Sequence, residues 1–261
     1  LKNKDMQVTY AVFMRRPVLF CPSLAIKWLR KIEKIRNTKF NIKMCYKEGE
    51  WVGAGEPLMF LSGKFSQLVE LETTYLQLIG PASVAAYNAF KMCTDLPNTA
   101  FMAMDARHCA GAHMHELMAY GASVGSNKAK KEVNAKGFIG SSCKSTSYFF
   151  KSDHALGTMP HALIGYAGST LNAAKIYYNT FPDEPLTVLV DYFGKEISDT
   201  LEVCKYYEKL IKEKKLFIRL DTHGGRYIEG LDMEKSYNII EKFNPNCIRT
   251  SRNEQELKWL V

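Results

Sequence analysis

The stretch that decides the fold is Phe217-Ile218-Arg219-Leu220-Asp221-Thr222-His223-Gly224-Gly225, in which an apolar run ends abruptly in charge. A strand buried on both faces of a parallel sheet appears in a sequence as a nearly continuous apolar run. In α/β barrels the polar residues that perform the chemistry follow the carboxyl ends of such strands. The stretch therefore predicts a buried parallel strand whose carboxyl end opens into a site.

The same pattern recurs along the second part of the chain, at residues 103–108, 137–142, 154–161, 187–191 and 247–251. These runs are mostly separated by about thirty residues, the length of a strand and a crossover helix. The intervals predict helices at residues 113–123, 162–179, 195–214 and 233–243. No GxGxxG motif follows the first strand, which argues against a dinucleotide-binding Rossmann domain. Polar residues at the ends of nearly all the strands favour a barrel.

A different organisation precedes residue 96. Strands are predicted at residues 7–14, 40–46 and 58–62, and helices at 23–36, 66–78 and 82–92, with Pro81 breaking the last two apart. We therefore expect two domains, 1–95 with mixed strands and linker helices, and 96–261 with repeated βα units. Since six strands are fewer than the eight of a full barrel, we also expect the C-terminal strands to be missing from the chain.

Composition narrows the function class. The net charge of +8 and the pI of 9.0 favour anionic partners such as phosphorylated metabolites. Seven cysteines without a CxxC pair suggest reduced thiols and a cytoplasmic protein. No apolar run approaches the roughly 18 residues of a membrane span, and no nucleic-acid-binding motif is found, so neither a membrane nor a nucleic acid is expected as partner.

Several of these segments resemble the type II phosphoribosyltransferases, most closely the nicotinate phosphoribosyltransferases. The resemblance spans nearly the whole chain, and the motifs that carry it are residues 47–58, residues 68–76, Asp105-Ala-Arg107-His108, Gly157-Thr158-Met-Pro-His161, Leu189-Val-Asp191 and Arg219-Leu-Asp221. It implies an α/β fold in which an N-terminal α+β open-faced sandwich is followed by a TIM-like α/β barrel, here of about six strands.

The resemblance also implies an activity. A member of this family transfers the phosphoribosyl group of phosphoribosyl pyrophosphate to nicotinate, giving nicotinate mononucleotide and pyrophosphate in NAD biosynthesis. Mg²⁺ is the expected cofactor, with ATP coupling as an option. The expected assembly is a homodimer in the cytoplasm.

The resemblance assigns the site residue by residue, with catalytic His161, Asp191 and Asp221 and substrate-binding Arg107, His108, Ser141, Ser142, Thr158 and Arg219. Arg107 would bind the planar nicotinate carboxylate as a bidentate fork, and Arg219 would hold the ribosyl or pyrophosphate part. Asp191 and Asp221 would bind ribose hydroxyls, or Mg²⁺ through water, so no direct metal ligand is assigned. His161 would accept the phosphoryl group if ATP is used.

Other interpretations stay open at this point. The pyridine substrate could be quinolinate or nicotinamide. Gly194 and Gly225 stand where the family has acids, which is compatible with a catalytically inactive homologue that binds nucleotides. The candidate residues also have structural readings: His161 or Asp191 as helix caps, Arg107 as an ion-pair partner of nearby acids, and Arg219 with Asp221 as a buried salt bridge.

Overall fold

The structure, a computed structural model, describes residues 6–223, 227–232, 234, 235 and 238. It divides into two compact units, residues 1–156 and 157–261, and each is described by itself. Both units contain helices and strands, so the chain has a mixed α/β fold. The predicted domains, 1–95 and 96–261, stay a prediction. Among the described helices, none is both long and apolar enough to cross a membrane.

The first unit begins with antiparallel strands. Three form a sheet in the order β1-β5-β3, and two short strands pair separately. Their bounds are β1 Gln7–Phe13, β2 Val18–Leu19, β3 Asn41–Met44, β4 Trp51–Val52 and β5 Pro57–Lys64. The three strands that the sequence predicts here are confirmed. Strand β5 is central and contributes Leu58, Met59 and Leu61 to the core.

Helix α1 spans Ser23–Arg36, the predicted residues. It buries Ala25 and Leu29 and ends at Asn37, whose φ of 47° is left-handed, as asparagine tolerates at a helix C-terminus.

The predicted break at Pro81 is wrong. A short helix, α2 (Phe65–Leu68), is followed by α3 (Glu72–Asp95), which runs continuously through the proline. A proline normally disfavours helical geometry in the preceding residue because its ring contacts that residue's Cβ. That residue is Gly80, which has no Cβ, and side chains on both sides of the proline, such as Ile79 and Ala82, pack in one core.

Helix α4 (Gly111–Val133) extends well beyond the predicted 113–123 and packs against α3. The two helices approach so closely that a Cβ added to Gly125 would lie 2.0 Å from the carbonyl oxygen of Ala86. Helix α4 connects the parallel strands β6 (Ala100–Ala103) and β7 (Gly137–Ser141), as expected for a βαβ unit. Helix α5 (Lys144–Ser147) and a 3₁₀ turn, Tyr148–Phe150, follow β7.

The strand predicted near residue 155 is wrong, because residues 153–160 have no regular secondary structure. One hydrogen bond joins this segment to the end of β7, as pairing of a strand would require: the Leu156 N–H donates to the Ser141 carbonyl at 2.8 Å. The Ser152 hydroxyl donates to the His154 carbonyl and accepts from the His154 N–H, so it satisfies groups that a strand would pair. Pro160 has no N–H to extend a ladder.

In the second unit two predicted helices are each divided. Residues 162–179 are covered by α6 (His161–Ala167) and α7 (Thr170–Thr180). Gly168 adopts a left-handed φ of 75°, and the Ser169 hydroxyl caps α7 by accepting from Asn172 N–H at 3.1 Å. Residues 195–214 are covered by α8 (Glu196–Tyr206) and α9 (Glu208–Lys212).

Strands β8 (Leu186–Leu189) and β9 (Leu216–Arg219) are parallel, and confirm two more predicted strands. Val188, Leu189 and Val190 are fully buried in a core with Met159 and Ile164. The four parallel strands of the described residues form two separate pairs. The predicted strand at 247–251 lies outside the described residues, as does most of the predicted helix at 233–243.

Candidate active site

Three of the predicted site residues, Asp191, Arg219 and Asp221, lie at the carboxyl end of the β8–β9 pair. Leu189 is paired with Arg219 in the parallel register. Asp191 and Asp221 each lie two residues further along, so the two acids occupy corresponding positions beyond the strand ends. In a parallel sheet these ends form one edge, where α/β enzymes place their reactive groups.

His161 and Asp191 form a close pair at this edge. The Nε2 atom of His161 lies 3.1 Å from both carboxylate oxygens of Asp191. The Asp191 side chain is only 6% exposed, whereas that of His161 is 43% exposed. An ionised carboxylate only accepts hydrogen bonds, so His161 donates from Nε2. In the neutral ring this leaves the lone pair on Nδ1, and nearly half of the side chain is exposed to solvent.

Two side chains, Thr158 and Asp221, hold the guanidinium group of Arg219. Nη1 donates to the Thr158 hydroxyl at 2.7 Å, and Nη2 donates to Asp221 Oδ2 at 2.6 Å. The Arg219 side chain is 28% exposed and that of Asp221 39%, so this is a partly solvated pair and not a buried salt bridge. A guanidinium fixed in this way presents its remaining N–H groups in a defined direction, which suits an anionic ligand.

The segment at residues 157–161 connects these two contacts. Thr158 binds Arg219 at the end of β9, and His161 binds Asp191 beyond the end of β8. Between them Met159 is fully buried in the core and anchors the segment. Pro160 precedes the helix and His161 is the first residue of α6. The structure therefore brings together Thr158, His161, Asp191, Arg219 and Asp221, although their roles stay predictions.

Sequence reasoning missed a buried acid next to this group. Glu196, 1% exposed, begins α8 and accepts a hydrogen bond from the Thr222 hydroxyl at 2.9 Å and from the Glu229 backbone N–H at 3.0 Å. Tyr192 was also missed, and its ring centroid lies 6.3 Å from that of His161. The available signal was their position, since both closely follow the Asp191 strand end in sequence.

The remaining predicted residues belong to the first unit, at the carboxyl end of the β6–β7 pair. Arg107 and His108 are exposed in a turn stabilised by bonds from the His108 and Cys109 N–H groups to the Asp105 carbonyl, at 2.9 and 3.1 Å. The Asp105 carboxylate accepts from Cys109 Sγ at 3.3 Å. Beside this acceptor, burial, aided by Asp105, raises the pKa of the Cys109 thiol to about 11.

Ser141 and Ser142 differ in their surroundings. Ser142 is half-buried, and its N–H donates to the Ala103 carbonyl at 2.9 Å. Ser141 is fully buried and its hydroxyl bonds the Thr146 hydroxyl at 2.7 Å, which in turn lies 3.3 Å from His115 Nε2. The Ser141 hydroxyl is thus engaged inside the first unit, and its predicted contact with substrate stays a prediction.

Each strand pair therefore carries its own group of candidate residues. Arg107, His108, Ser141 and Ser142 are in the first unit, and the histidine, acids and second arginine are in the second. The predicted convergence of the two groups on one substrate stays a prediction. Within the described ranges, no cluster of three or more His, Cys, Asp or Glu side chains is arranged to hold a metal ion.

Residues 1–83 match the family model of the quinolinate phosphoribosyl transferase N-terminal domain. No curated protein matches the chain.

Solved structures match over nearly the whole chain. A nicotinate-nucleotide pyrophosphorylase from Pyrococcus furiosus is 22% identical with a TM-score of 0.61, and the match covers 98% of this chain and 63% of that one. The corresponding protein from Ehrlichia chaffeensis is 14% identical with a TM-score of 0.57, covering 98% and 80%. Human nicotinic acid phosphoribosyltransferase is 15% identical with a TM-score of 0.60, covering 99% and 67%.

The chain shares the fold of these structures. At such identities the likeness establishes the fold alone, and the chain spans less than two thirds of the Pyrococcus furiosus protein. The match of residues 1–83 adds an independent link between the N-terminal part and the same group of proteins.

Proposed function

We propose that the chain is a type II phosphoribosyltransferase of NAD biosynthesis, which joins the ring nitrogen of nicotinate to the anomeric carbon of phosphoribosyl pyrophosphate. The observation that carries this proposal is the arrangement at the β8–β9 edge. There Arg219 is fixed between Thr158 and Asp221, beside the His161–Asp191 pair. The N-terminal family match and the shared fold support the same activity.

The chemistry explains the need for these groups. As the C1–oxygen bond to pyrophosphate breaks, positive charge develops on the ribose and negative charge on the leaving group. A preorganised guanidinium stabilises the departing pyrophosphate without having to reorganise, and Arg219 has this role. The acids Asp191 and Asp221 hold ribose hydroxyls beside the cationic carbon. Arg107 binds the pyridine carboxylate through its fork, with His108, Ser141 and Ser142 lining the same substrate.

Mg²⁺ and ATP belong to the proposal as cofactors. Mg²⁺ keeps several of its waters when it binds, and Asp191 and Asp221 would contact the ion through those waters. When bound, the ion neutralises the charge of the pyrophosphate. If ATP is used, His161 accepts the phosphoryl group at Nδ1, since Asp191 occupies the Nε2 side. Asp191 then fixes the tautomer and orientation of the ring.

The finer architecture is part of the same proposal. We place the four parallel strands in a TIM-like barrel preceded by an open-faced sandwich, and we propose a cytoplasmic homodimer.

Quinolinate is the second candidate substrate, favoured by the match of residues 1–83 to the quinolinate phosphoribosyl transferase domain. Quinolinate carries one carboxylate more than nicotinate mononucleotide, so its conversion must release CO₂. A single experiment therefore separates the candidates. The full chain is incubated with phosphoribosyl pyrophosphate, Mg²⁺ and either pyridine, with and without ATP, and both pyrophosphate and CO₂ are measured.

Pyrophosphate release that requires nicotinate and yields no CO₂ supports the first choice. Release that occurs with quinolinate alone, together with CO₂, replaces nicotinate by quinolinate. Binding of nicotinate mononucleotide without turnover of either pyridine would overturn the catalytic proposal in favour of an inactive, nucleotide-binding homologue.

A further inference from the structure

We propose that Glu196 and Glu229 form a reciprocal brace between α8 and the segment after β9, and that Glu196 is a positioning residue for the Asp221–Arg219 pair. The hydrogen bonds of the two glutamates support the brace, whereas the positioning role rests on the proposed phosphoribosyl transfer. It identifies a functional role for side chains beyond those that contact substrate.

One half of the brace is formed by the Glu229 carboxylate. Its Oε2 accepts from the backbone N–H groups of Ile197 and Ser198, at 2.8 and 2.7 Å, and its Oε1 accepts from the Ser198 hydroxyl at 2.5 Å. These N–H groups lie in the first turn of α8, where backbone N–H groups have no acceptor within the helix. The Ser198 hydroxyl and N–H hold the pKa of Glu229 below its ordinary value.

The other half is formed by the Glu196 carboxylate. Each of its oxygens accepts one bond from the segment after β9, Oε1 from the Thr222 hydroxyl and Oε2 from the Glu229 N–H. A carboxylate that is 99% shielded from solvent needs such partners, because an unsatisfied buried charge is strongly unfavourable. Glu196 therefore holds the Glu229 backbone, and Glu229 holds the backbone of the two residues that follow Glu196, in the manner of a capping box built from residues distant in sequence.

The segment that the brace fixes is a defined turn. Leu231 N–H donates to the Ile228 carbonyl at 3.1 Å, and Gly230 has a left-handed φ of 81° that favours glycine. The turn presents the Glu229 side chain and its N–H to α8 together. Loosening either glutamate should thus release both contacts.

The brace reaches the candidate site through Thr222. This residue directly follows Asp221, whose carboxylate holds Arg219, which in turn holds Thr158. Glu196 accepts from the Thr222 hydroxyl, so it acts on the Asp221–Arg219 pair through the position of Thr222. A displacement of about 1 Å at a reacting centre is enough to lower a rate on the order of a hundredfold.

The matched test is Thr222→Val against Thr222→Ser. Valine keeps the shape of threonine but removes the hydroxyl that Glu196 accepts, whereas serine retains it. Glu196→Gln tests the other partner, because an amide has one acceptor oxygen in place of two. Glu202→Gln, at an exposed acid of the same helix, controls for the loss of one negative charge.

The first readout needs no activity. Amide hydrogen exchange of the full chain should be faster by about tenfold or more in peptides covering residues 220–231 of Thr222→Val and Glu196→Gln, but unchanged in Thr222→Ser and Glu202→Gln. Unchanged exchange in both Thr222→Val and Glu196→Gln would overturn the brace itself.

The second readout is kinetic. In Thr222→Val and Glu196→Gln, kcat/KM for phosphoribosyl pyrophosphate should fall by about tenfold or more, while KM for the pyridine changes less than twofold. Thr222→Ser should keep the wild-type kcat/KM for phosphoribosyl pyrophosphate. Altered exchange with unchanged kinetics would overturn the positioning role. If the variants show the exchange effect but the wild-type chain turns over neither pyridine, the proposed function and the positioning role are refuted and the brace stands.

Discussion

Replacing Asp191 by asparagine tests the pair at the centre of the candidate site. The change keeps the shape of the side chain but removes its charge. Asparagine also has one acceptor oxygen where Asp191 presents two, each 3.1 Å from His161 Nε2. The imidazole then loses the partner that orients it and selects the tautomer with hydrogen on Nε2.

The structure sets the size of the effect. A hydrogen bond to a charged group contributes about 1.5–3 kcal/mol. The Asp191 side chain is 6% exposed but His161 is 43% exposed, so solvent screens the pair and the lower limit applies. About 1.5 kcal/mol corresponds to roughly a tenfold loss in kcat/KM for phosphoribosyl pyrophosphate. Asp183→Asn, at an exposed acid before β8, is the control and should lose less than twofold.

The assay is steady-state pyrophosphate release, with thermal unfolding measured in parallel to show that the variants fold. Asp191→Asn with wild-type kcat/KM would refute a functional role for the pair. A loss of activity matched by Asp183→Asn would refute the specific role of this carboxylate, because charge alone would then account for the effect.

Three further predictions concern packing, substrate charge and pH. Gly125→Ala places a methyl 2.0 Å from the Ala86 carbonyl oxygen, so we expect about 1–3 kcal/mol of destabilisation in urea unfolding. Gly165→Ala meets the movable hydroxyl of Tyr192 and should lower the free energy of unfolding less. Equal effects would contradict the close packing of α3 and α4. Arg219→Lys keeps the charge but loses the fork, so kcat/KM for phosphoribosyl pyrophosphate should fall about tenfold with nicotinate affinity unchanged, and an unchanged kcat/KM would contradict its role. Burial raises the pKa of Glu33, but hydrogen bonds from the Arg30 guanidinium and the Phe40 N–H outweigh burial and hold this pKa below 4.5. The stabilisation from Glu33 is therefore present above pH 4.5 and is lost as the pH falls through the lowered pKa. Glu33→Gln should lower stability at pH 7 and weaken the acid dependence of Tm below about pH 4.5, and an unaltered dependence would contradict this.

Elements with a local signal were predictable from the sequence. Helix α1 has its predicted bounds because its apolar spacing lies within the helix and Asn37 directly follows it. The predicted helix bounds were wrong where an adjacent residue altered the effect of a proline or a glycine on the helix. Pro81 continues a helix because Gly80 precedes it, and Gly168 divides a helix because Ser169 supplies a new cap.

The site shows the same division. Placing polar residues at strand ends followed from the apolar-to-charged pattern, and the structure does put Asp191 and Asp221 at matching positions of neighbouring strands. The neighbouring pair Arg219–Asp221 was among the interpretations of the sequence, but the other side-chain bonds were not predictable, because their partners are far apart in sequence: 30 residues for His161–Asp191 and 61 for Thr158–Arg219. Glu196 was missed since its burial depends on a turn 33 residues away.

The most direct test of the central claim is the stoichiometry of the reaction catalysed by the full chain. Purified protein is supplied with phosphoribosyl pyrophosphate, Mg²⁺ and labelled nicotinate or quinolinate, and pyrophosphate and pyridine mononucleotide are counted in the same sample. We predict one pyrophosphate for each mononucleotide, with both products reduced together in Asp191→Asn and Arg219→Lys. Pyrophosphate formed without mononucleotide, or no product from either pyridine, would contradict phosphoribosyl transfer at this site.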